Sequence, residues 1–178
     1  VNWRDMGADE LGYVYEGFLE LDPHITQDGR TFSLLDHRGN DRKTSGSYYT
    51  PEGLVSVLLD SALEPVIATT LAANPTNTAK ALLELSIVDP ACGSGHFLVE
   101  MLKILVAFRM KEEGLEAGQA VDAVLRDNLF GLEIDPRCTQ IAAFAVALTA
   151  WKLAGGYREL PADGVHVACC GIAPRAKK

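Results

Sequence analysis

Residues 89–97 read D-P-A-C-G-S-G-H-F, and they join a short β-branched apolar run to a long amphipathic stretch. Before them, Leu85, Ser86, Ile87 and Val88 have the character of a strand end buried in a parallel sheet. After them, Phe97, Leu98, Met101, Leu102, Leu105 and Phe108 recur at helical spacing. A strand, a Gly-rich turn and a helix in that order leave few folds open. In open α/β sheets the carboxyl end of such a strand is where ligands bind. Gly93 and Gly95 supply positive φ and allow close backbone approach, while the first helical N–H groups face the same space. Asp89 sets a negative charge beside that turn, which disfavours a pyrophosphate and suits a ligand carrying an ammonium or sulfonium.

The rest of the chain extends this unit. Leu129, Phe130, Gly131, Leu132, Glu133 and Ile134 predict a second buried strand, and Pro136 opens a helix in which Ile141, Phe144, Ala145, Leu148 and Trp151 repeat at helical intervals. Gly155 and Gly156 close that helix, a further helix is expected over 116–126, and 165–169 reads as a third parallel strand. Strand, helices, strand, helix, strand is the order of a doubly wound α/β half. Upstream, 11–21 predicts a helix ended by Pro23, 31–35 a short strand in a hairpin, and 36–46 a surface loop. Thr50 and Pro51 are suited to cap a helix whose stripe is Leu54, Val55, Leu58, Leu59, Ala62 and Leu63, with Pro65 ending or kinking it. Residues 72–80 read as a surface connection. This divides the chain into a helical and hairpin segment at 1–46 and a ligand-binding part at 47–178.

With 178 residues the chain can bury one α/β core, and 48% hydrophobic against 22% charged residues is a folded, water-soluble balance. No apolar run reaches the length of a membrane span, so no membrane partner is expected. The N-terminus lacks a signal-peptide pattern. Cys92, Cys138, Cys169 and Cys170 form no C-x-x-C pair, which points to reduced thiols and a cytoplasmic location. A net charge of −8 leaves no electrostatic footprint for a nucleic acid. The chain starts at valine and closes on R-A-K-K, and we expect it to be an excerpt of a longer polypeptide.

Three segments occur in a telling order: Ser47-Tyr48-Tyr49-Thr50-Pro51, then Asp89-Pro90-Ala91-Cys92-Gly93-Ser94-Gly95-His96-Phe97-Leu98, then Gly131-Leu132-Glu133-Ile134-Asp135-Pro136. Together they resemble N6-adenine DNA methyltransferases of bacterial restriction–modification and phage-defence systems, above all the large enzymes whose S-adenosylmethionine region follows an N-terminal helical part. The resemblance spans roughly residues 11–170 and is most specific at D-P-A-C-G-S-G. It implies a partial doubly wound, Rossmann-like methyltransferase domain with an N-terminal helical segment, and S-adenosyl-L-methionine as cofactor. It also implies the donor-binding residues: Tyr49, Thr50 and Pro51 against the donor's methionine part, Asp89 near its amino group, and Ala91, Gly93, Gly95 and Phe97 in the turn. Glu133 would accept hydrogen bonds from both ribose hydroxyls, and Ile134 would lie on the adenine face. As a strand-end carboxylate, Glu133 is expected to be replaceable by alanine without loss of the fold.

The chain departs from the family in three places. Glu133 follows Asp89 by 44 positions because a helical segment intervenes. The strand that often ends in an acid facing the donor's adenine amino group here ends in Cys169-Cys170-Gly171, with Asp163 only a weak substitute. The catalytic Asn/Asp–Pro–Pro–aromatic element is absent, because the chain has no Pro-Pro dipeptide, so no catalytic residue is assigned. Double-stranded DNA is therefore expected to be met through parts of the parent protein outside this chain, and the chain alone is expected to transfer no methyl group. The alternatives are a donor-binding module without chemistry, a methyltransferase acting on RNA or protein, and a dinucleotide oxidoreductase. The last is disfavoured because Leu98 occupies the third-glycine position of its fingerprint.

Other residues take plainer readings. His96 is expected in a local turn or at the surface, and Cys92 and His96 lack partners spaced for a metal. The charged run 38–43 reads as a solvated loop, and Tyr13, Tyr15 and Phe18 as the core face of the first helix.

Overall fold

The computed structural model describes residues 8–19, 21–36, 50, 52–161 and 164–171. The chain runs α1 (Ala8–Leu19), β1 (Leu21–Ile25), β2 (Phe32–Asp36), α2 (Glu52–Ala73), α3 (Thr78–Leu83), β3 (Ile87–Asp89), α4 (His96–Glu113), α5 (Ala117–Asp127), β4 (Leu129–Glu133), α6 (Pro136–Leu153) and β5 (Val167–Cys169). Strands β3, β4 and β5 form a parallel sheet in that order, with Asp89 opposite Gly131 and Glu133 opposite Cys169. This is a mixed α/β fold in which the carboxyl ends of all three strands point the same way.

The core lies where α4, α5 and α6 pack together against the sheet. Leu98, Leu102, Val121, Val124, Leu125 and Val146 are almost completely removed from water. Gly131 explains how β4 sits so deep. A Cβ there would come within 2.8 Å of Leu98 Cδ1 and 3.2 Å of Cys92 Sγ. The α5 segment between the two motif strands begins at a reciprocal cap between Glu116 and Gln119. It then buries one apolar stripe, so the insertion adds to the core.

A buried polar knot fixes the entry into β3. Asn128 is fully buried and donates from Nδ2 to the carbonyls of Leu83 (2.9 Å) and Leu85 (2.8 Å). Its Oδ1 accepts from Arg109 Nε and an Arg109 terminal nitrogen at 3.2 and 3.0 Å. Asn128→Ala would remove the side-chain donor to the Leu85 carbonyl and the Oδ1 acceptor of Arg109, which keeps the Leu83 carbonyl and Glu113 as partners. The expected cost is about 2 kcal/mol, read as a lower urea midpoint at unchanged slope.

Several local expectations change. The hairpin is present, with β1 and β2 antiparallel and Pro23 opposite Leu34. Pro23 thus lies inside a strand beyond the helix end, which a two-stranded ribbon tolerates because both strands are edges. Pro65 neither ends nor splits α2, which continues to Ala73. The carbonyl that its missing N–H frees belongs to Ser61, on an exposed stretch where water can satisfy it. Residues 78–83 are helical rather than a plain connection.

Contrary to the expectation of no apolar run of membrane-span length, α2 contains one. Within α2, Gly53–Ala73 is 21 residues long with mean hydropathy 1.6, long and apolar enough by length and composition to cross a membrane. Asp60 and Glu64 interrupt the run without lowering the average enough to disqualify it. Leu59 and Leu63 pack on the core, whereas Leu54, Val57 and Leu58 are exposed. In α1, Phe18 is 59% exposed rather than core, and the Tyr13 side chain and the 38–43 run lie outside the described residues.

Candidate functional site

The site is built where β3 and β4 end side by side. Asp89 closes β3, and its Oδ1 accepts the Ala91 amide at 3.1 Å, which folds the chain into the Gly-rich turn. The turn is tied to the neighbouring strand because the Cys92 amide donates to the Leu132 carbonyl at 3.0 Å. Gly93 and Gly95 both take positive φ, +53° and +88°, as the sequence requires. Their roles differ. A Cβ on Gly93 would meet open space, whereas one on Gly95 would lie 3.0 Å from both Cα and Cβ of Ala142. Gly95 is therefore needed to let the start of α4 approach α6, and only Gly93 leaves room for a ligand.

Glu133 ends β4 and reaches across this turn. Its Oε2 accepts the Gly93 amide at 2.7 Å, while Oε1 accepts those of Ile134 (2.7 Å) and Asp135 (3.0 Å). The residue is only 8% exposed. This corrects the expectation of a dispensable strand-end acid: Glu133 is a buried carboxylate that joins two turns. A carboxylate offers about four acceptor positions, so three amides leave about one for a ribose hydroxyl. Accepting from two hydroxyls would require release of one of these three amides.

Burial, more than any other influence, raises the Asp89 pKa above the usual aspartate range, and the nearby Glu133 charge adds to this against the opposing Ala91 amide. Burial likewise pushes the Cys92 thiol up to about 12, with Asp89 and Glu133 contributing, so Cys92 is a neutral core side chain. His96 is buried at the start of α4, not in a surface turn. Among the described residues no group of three His, Cys, Asp or Glu side chains is arranged to hold a metal ion.

The remaining candidates divide. Ala91 is exposed and Ile134 is 38% exposed beside the strand ends. Phe97 and Asp89 line a cavity of about 220 Å³ whose other walls include Leu58, Leu59 and Leu63 of α2. Thr50 is half-buried just before α2, and Tyr49, Pro51 and Asp163 lie outside the described residues. At β5, the Cys170 amide donates to the Glu133 carbonyl at 2.8 Å and Cys169 Sγ donates to the Ile134 carbonyl at 3.4 Å. Two cysteines thus stand at the strand end where an acid was sought. The sequence reading missed the burial of Glu133 and of His96. A glycine inside the β4 pattern was the one available signal of close packing at Gly131.

Comparison with known proteins bears on this geometry. A profile described as MmeI, DNA-methyltransferase domain, matches residues 68–163, which include both turns. The adenine-specific methyltransferase BrxX of Escherichia coli O9:H4 is 39% identical over 66 residues, 37% of this chain and 5% of its own length. A putative type II restriction enzyme and methyltransferase of Methanocaldococcus jannaschii is 25% identical over 173 residues, 78% of this chain and 13% of its own. The chain thus spans 5% and 13% of these curated relatives. Among solved structures, the DrdV–DNA complex superposes with a TM-score of 0.59 at 18% identity, over 92% of this chain and 13% of that one, a likeness of fold. Because the matched profile covers more than half of the sequence, the chain belongs to the MmeI DNA-methyltransferase domain family.

Proposed function

We propose that this chain is the S-adenosylmethionine-binding portion of a DNA adenine-N6 methyltransferase of a restriction–modification or phage-defence system. The observation that carries the reading is the 2.7 Å hydrogen bond from the Gly93 amide to Glu133. In a dinucleotide site such an amide would be offered to a phosphate. Here it is engaged by the protein's own carboxylate, with Asp89 alongside, so a pyrophosphate would meet two negative groups. A ligand with a sulfonium, an ammonium and a vicinal diol fits the same pair. The family membership and the names of the relatives support the reaction and the DNA substrate.

The fold supports the same reading. Sheet order β3-β4-β5 follows sequence order, as in one half of a doubly wound Rossmann-like sheet. Among the described residues β3 is an edge of the sheet, and strands of a second half would add there. The switch point would then fall at Asp89. In this reading Asp89, Ala91, Gly93, Ile134 and Glu133 hold the donor, with Phe97 beneath the turn and Tyr49, Thr50 and Pro51 upstream. When bound, the donor supplies the methyl group. The chain's own residues orient it, and they contribute proximity rather than acid–base chemistry. The parent protein would hold duplex DNA and flip the target adenine. The chain alone has no Asn/Asp–Pro–Pro–aromatic element to receive that adenine. Methyl incorporation into mixed-sequence DNA by the chain alone should therefore stay at background, and robust incorporation would refute this division of roles.

Calorimetric titration tests the ligand class. S-adenosylhomocysteine is expected to bind and NAD to bind at least about 10-fold more weakly, a difference of roughly 1.4 kcal/mol. Equal or tighter NAD binding would refute the reading. The pH dependence has a defined sign for the intact donor, whose positive groups favour ionised Asp89. Affinity for S-adenosylmethionine should fall as the pH drops through the raised Asp89 pKa, above the ordinary value of about 3.9. Asp89→Asn should flatten that profile. For folding alone the sign is opposite: protonated Asp89 favours the fold below the ordinary range, and the advantage is lost as pH rises through the raised pKa.

A further inference from the structure

Tyr15 lies 120 positions before Asp135, yet its hydroxyl donates to Asp135 Oδ2 at 3.2 Å. The Arg137 guanidinium sits over the Tyr15 ring, 5.8 Å from its centroid. Asp135 is 8% exposed and caps α6, accepting the Arg137 amide at 2.8 Å, and the Arg137 side chain returns to the same carboxylate at 3.1 and 2.8 Å. The cap and its ion pair are local to residues 135–137 and do not require α1. What α1 adds is a third, distant hold on the carboxylate.

That hold leads to the ribose acid. The Asp135 amide donates to Glu133 Oε1, which also accepts from Ile134, so the orientation of Asp135 and the position of Oε1 are linked through one short turn. Around Tyr15 the seam between α1 and α6 is an open groove of about 500 Å³, lined by Val14, Phe18, Gln140, Ile141 and Phe144 as well as Tyr15 and Arg137. Val14 and Phe18 are 50% and 59% exposed. Val14 and Phe18 line this groove rather than fill it, and among the described side chains of α1 the Tyr15 hydroxyl makes a polar link to the turn. Burial, with the neighbouring Cys138 and Asp135 side chains, raises the Tyr15 hydroxyl pKa further above its ordinary value.

We propose that Tyr15 is a positioning residue for the donor's ribose, acting through Asp135 on the Glu133 carboxylate. The inference rests on the methyl-donor reading above. It makes α1, part of the N-terminal segment, a contributor to cofactor binding without touching the cofactor.

The test uses Tyr15→Phe in the full 178-residue chain, which keeps the ring and its stacking on Arg137 and removes the hydroxyl. Calorimetry would compare S-adenosylhomocysteine with its 2′-deoxyribose analogue. The expected result is a loss of about 5-fold for S-adenosylhomocysteine, the scale of one hydrogen bond, and a smaller loss for the analogue. The discrimination between the two ligands therefore shrinks, while Tm stays within a few degrees of the unsubstituted chain. A second comparison isolates the route: Tyr15→Phe/Asp135→Asn should bind no more weakly than Asp135→Asn alone. Equal loss for both ligands would assign Tyr15 a general structural role and overturn the proposal, as would unchanged affinity in Tyr15→Phe. Failure of the unsubstituted chain to bind S-adenosylhomocysteine at all would overturn the donor reading itself and the inference with it.

Discussion

Glu133→Ala is expected to lower folding stability by about 3–4 kcal/mol and to reduce S-adenosylhomocysteine affinity by about 30-fold or more. The stability loss follows from the three amides that its carboxylate accepts, those of Gly93, Ile134 and Asp135, all at 3.0 Å or less. Removing the acceptor leaves three donors near the strand ends and opens a gap between two turns. Glu133→Gln separates shape from hydrogen bonding. Its one carbonyl oxygen can still face Ile134 and Asp135, while its NH₂ must face the Gly93 N–H, donor against donor. That variant should lose about 1–2 kcal/mol, roughly half the effect of alanine. Urea unfolding followed by circular dichroism measures both. An alanine variant as stable as the unsubstituted chain would show that the three amides find water instead.

Gly95→Ala is the second large effect, at about 3–5 kcal/mol, and Gly93→Ala is its control. Both positions have positive φ, so each methyl meets the left-handed strain of an L-residue, about 1–2 kcal/mol. Only at Gly95 does the new methyl also strike backbone, with Ala142 Cα and Cβ at 3.0 Å and its carbonyl oxygen at 3.3 Å. Ala142 is fully buried in the interior of α6 and cannot give way as a flexible side chain could. Relief would require parting α4 from α6 at the centre of the core. Gly93→Ala, whose Cβ meets nothing within 4 Å, should stay near the strain cost alone. The reverse ranking in urea midpoints would contradict the assignment of Gly95 to helix packing.

The parts of this fold that were legible in the sequence depend on neighbours close along the chain. A β-branched run, a Gly-rich turn and a helical stripe announce β3 and α4, and Asp135-Pro136 announces the start of α6. The hairpin was legible too, from its short apolar strand. Contacts made at long range were not. Nothing near Tyr15 indicates a bond to Asp135, and nothing near Arg109 announces Asn128 as its partner. The sequence marks Glu133 as a strand-end acid, but its burial depends on how two turns approach each other. The same holds for Gly95, where a ligand-facing glycine and a helix-packing glycine leave the same trace in the sequence. Pro65 does not end α2, because its cost depends on whether the freed carbonyl is buried, and here that carbonyl lies on an exposed stretch.

The central claim is that the carboxyl ends of β3 and β4 hold the methyl donor. Backbone-amide NMR during titration with S-adenosylhomocysteine tests it most directly. One of the three amides held by Glu133 must be released if both ribose hydroxyls are to be accepted, so the resonances of Gly93, Ile134 and Asp135 should move most, followed by that of Ala91. Amides along the exposed face of α2 should stay in place. Saturable shifts confined to the α1–α6 groove or to α2, with Gly93 and Ile134 unmoved, would contradict the account.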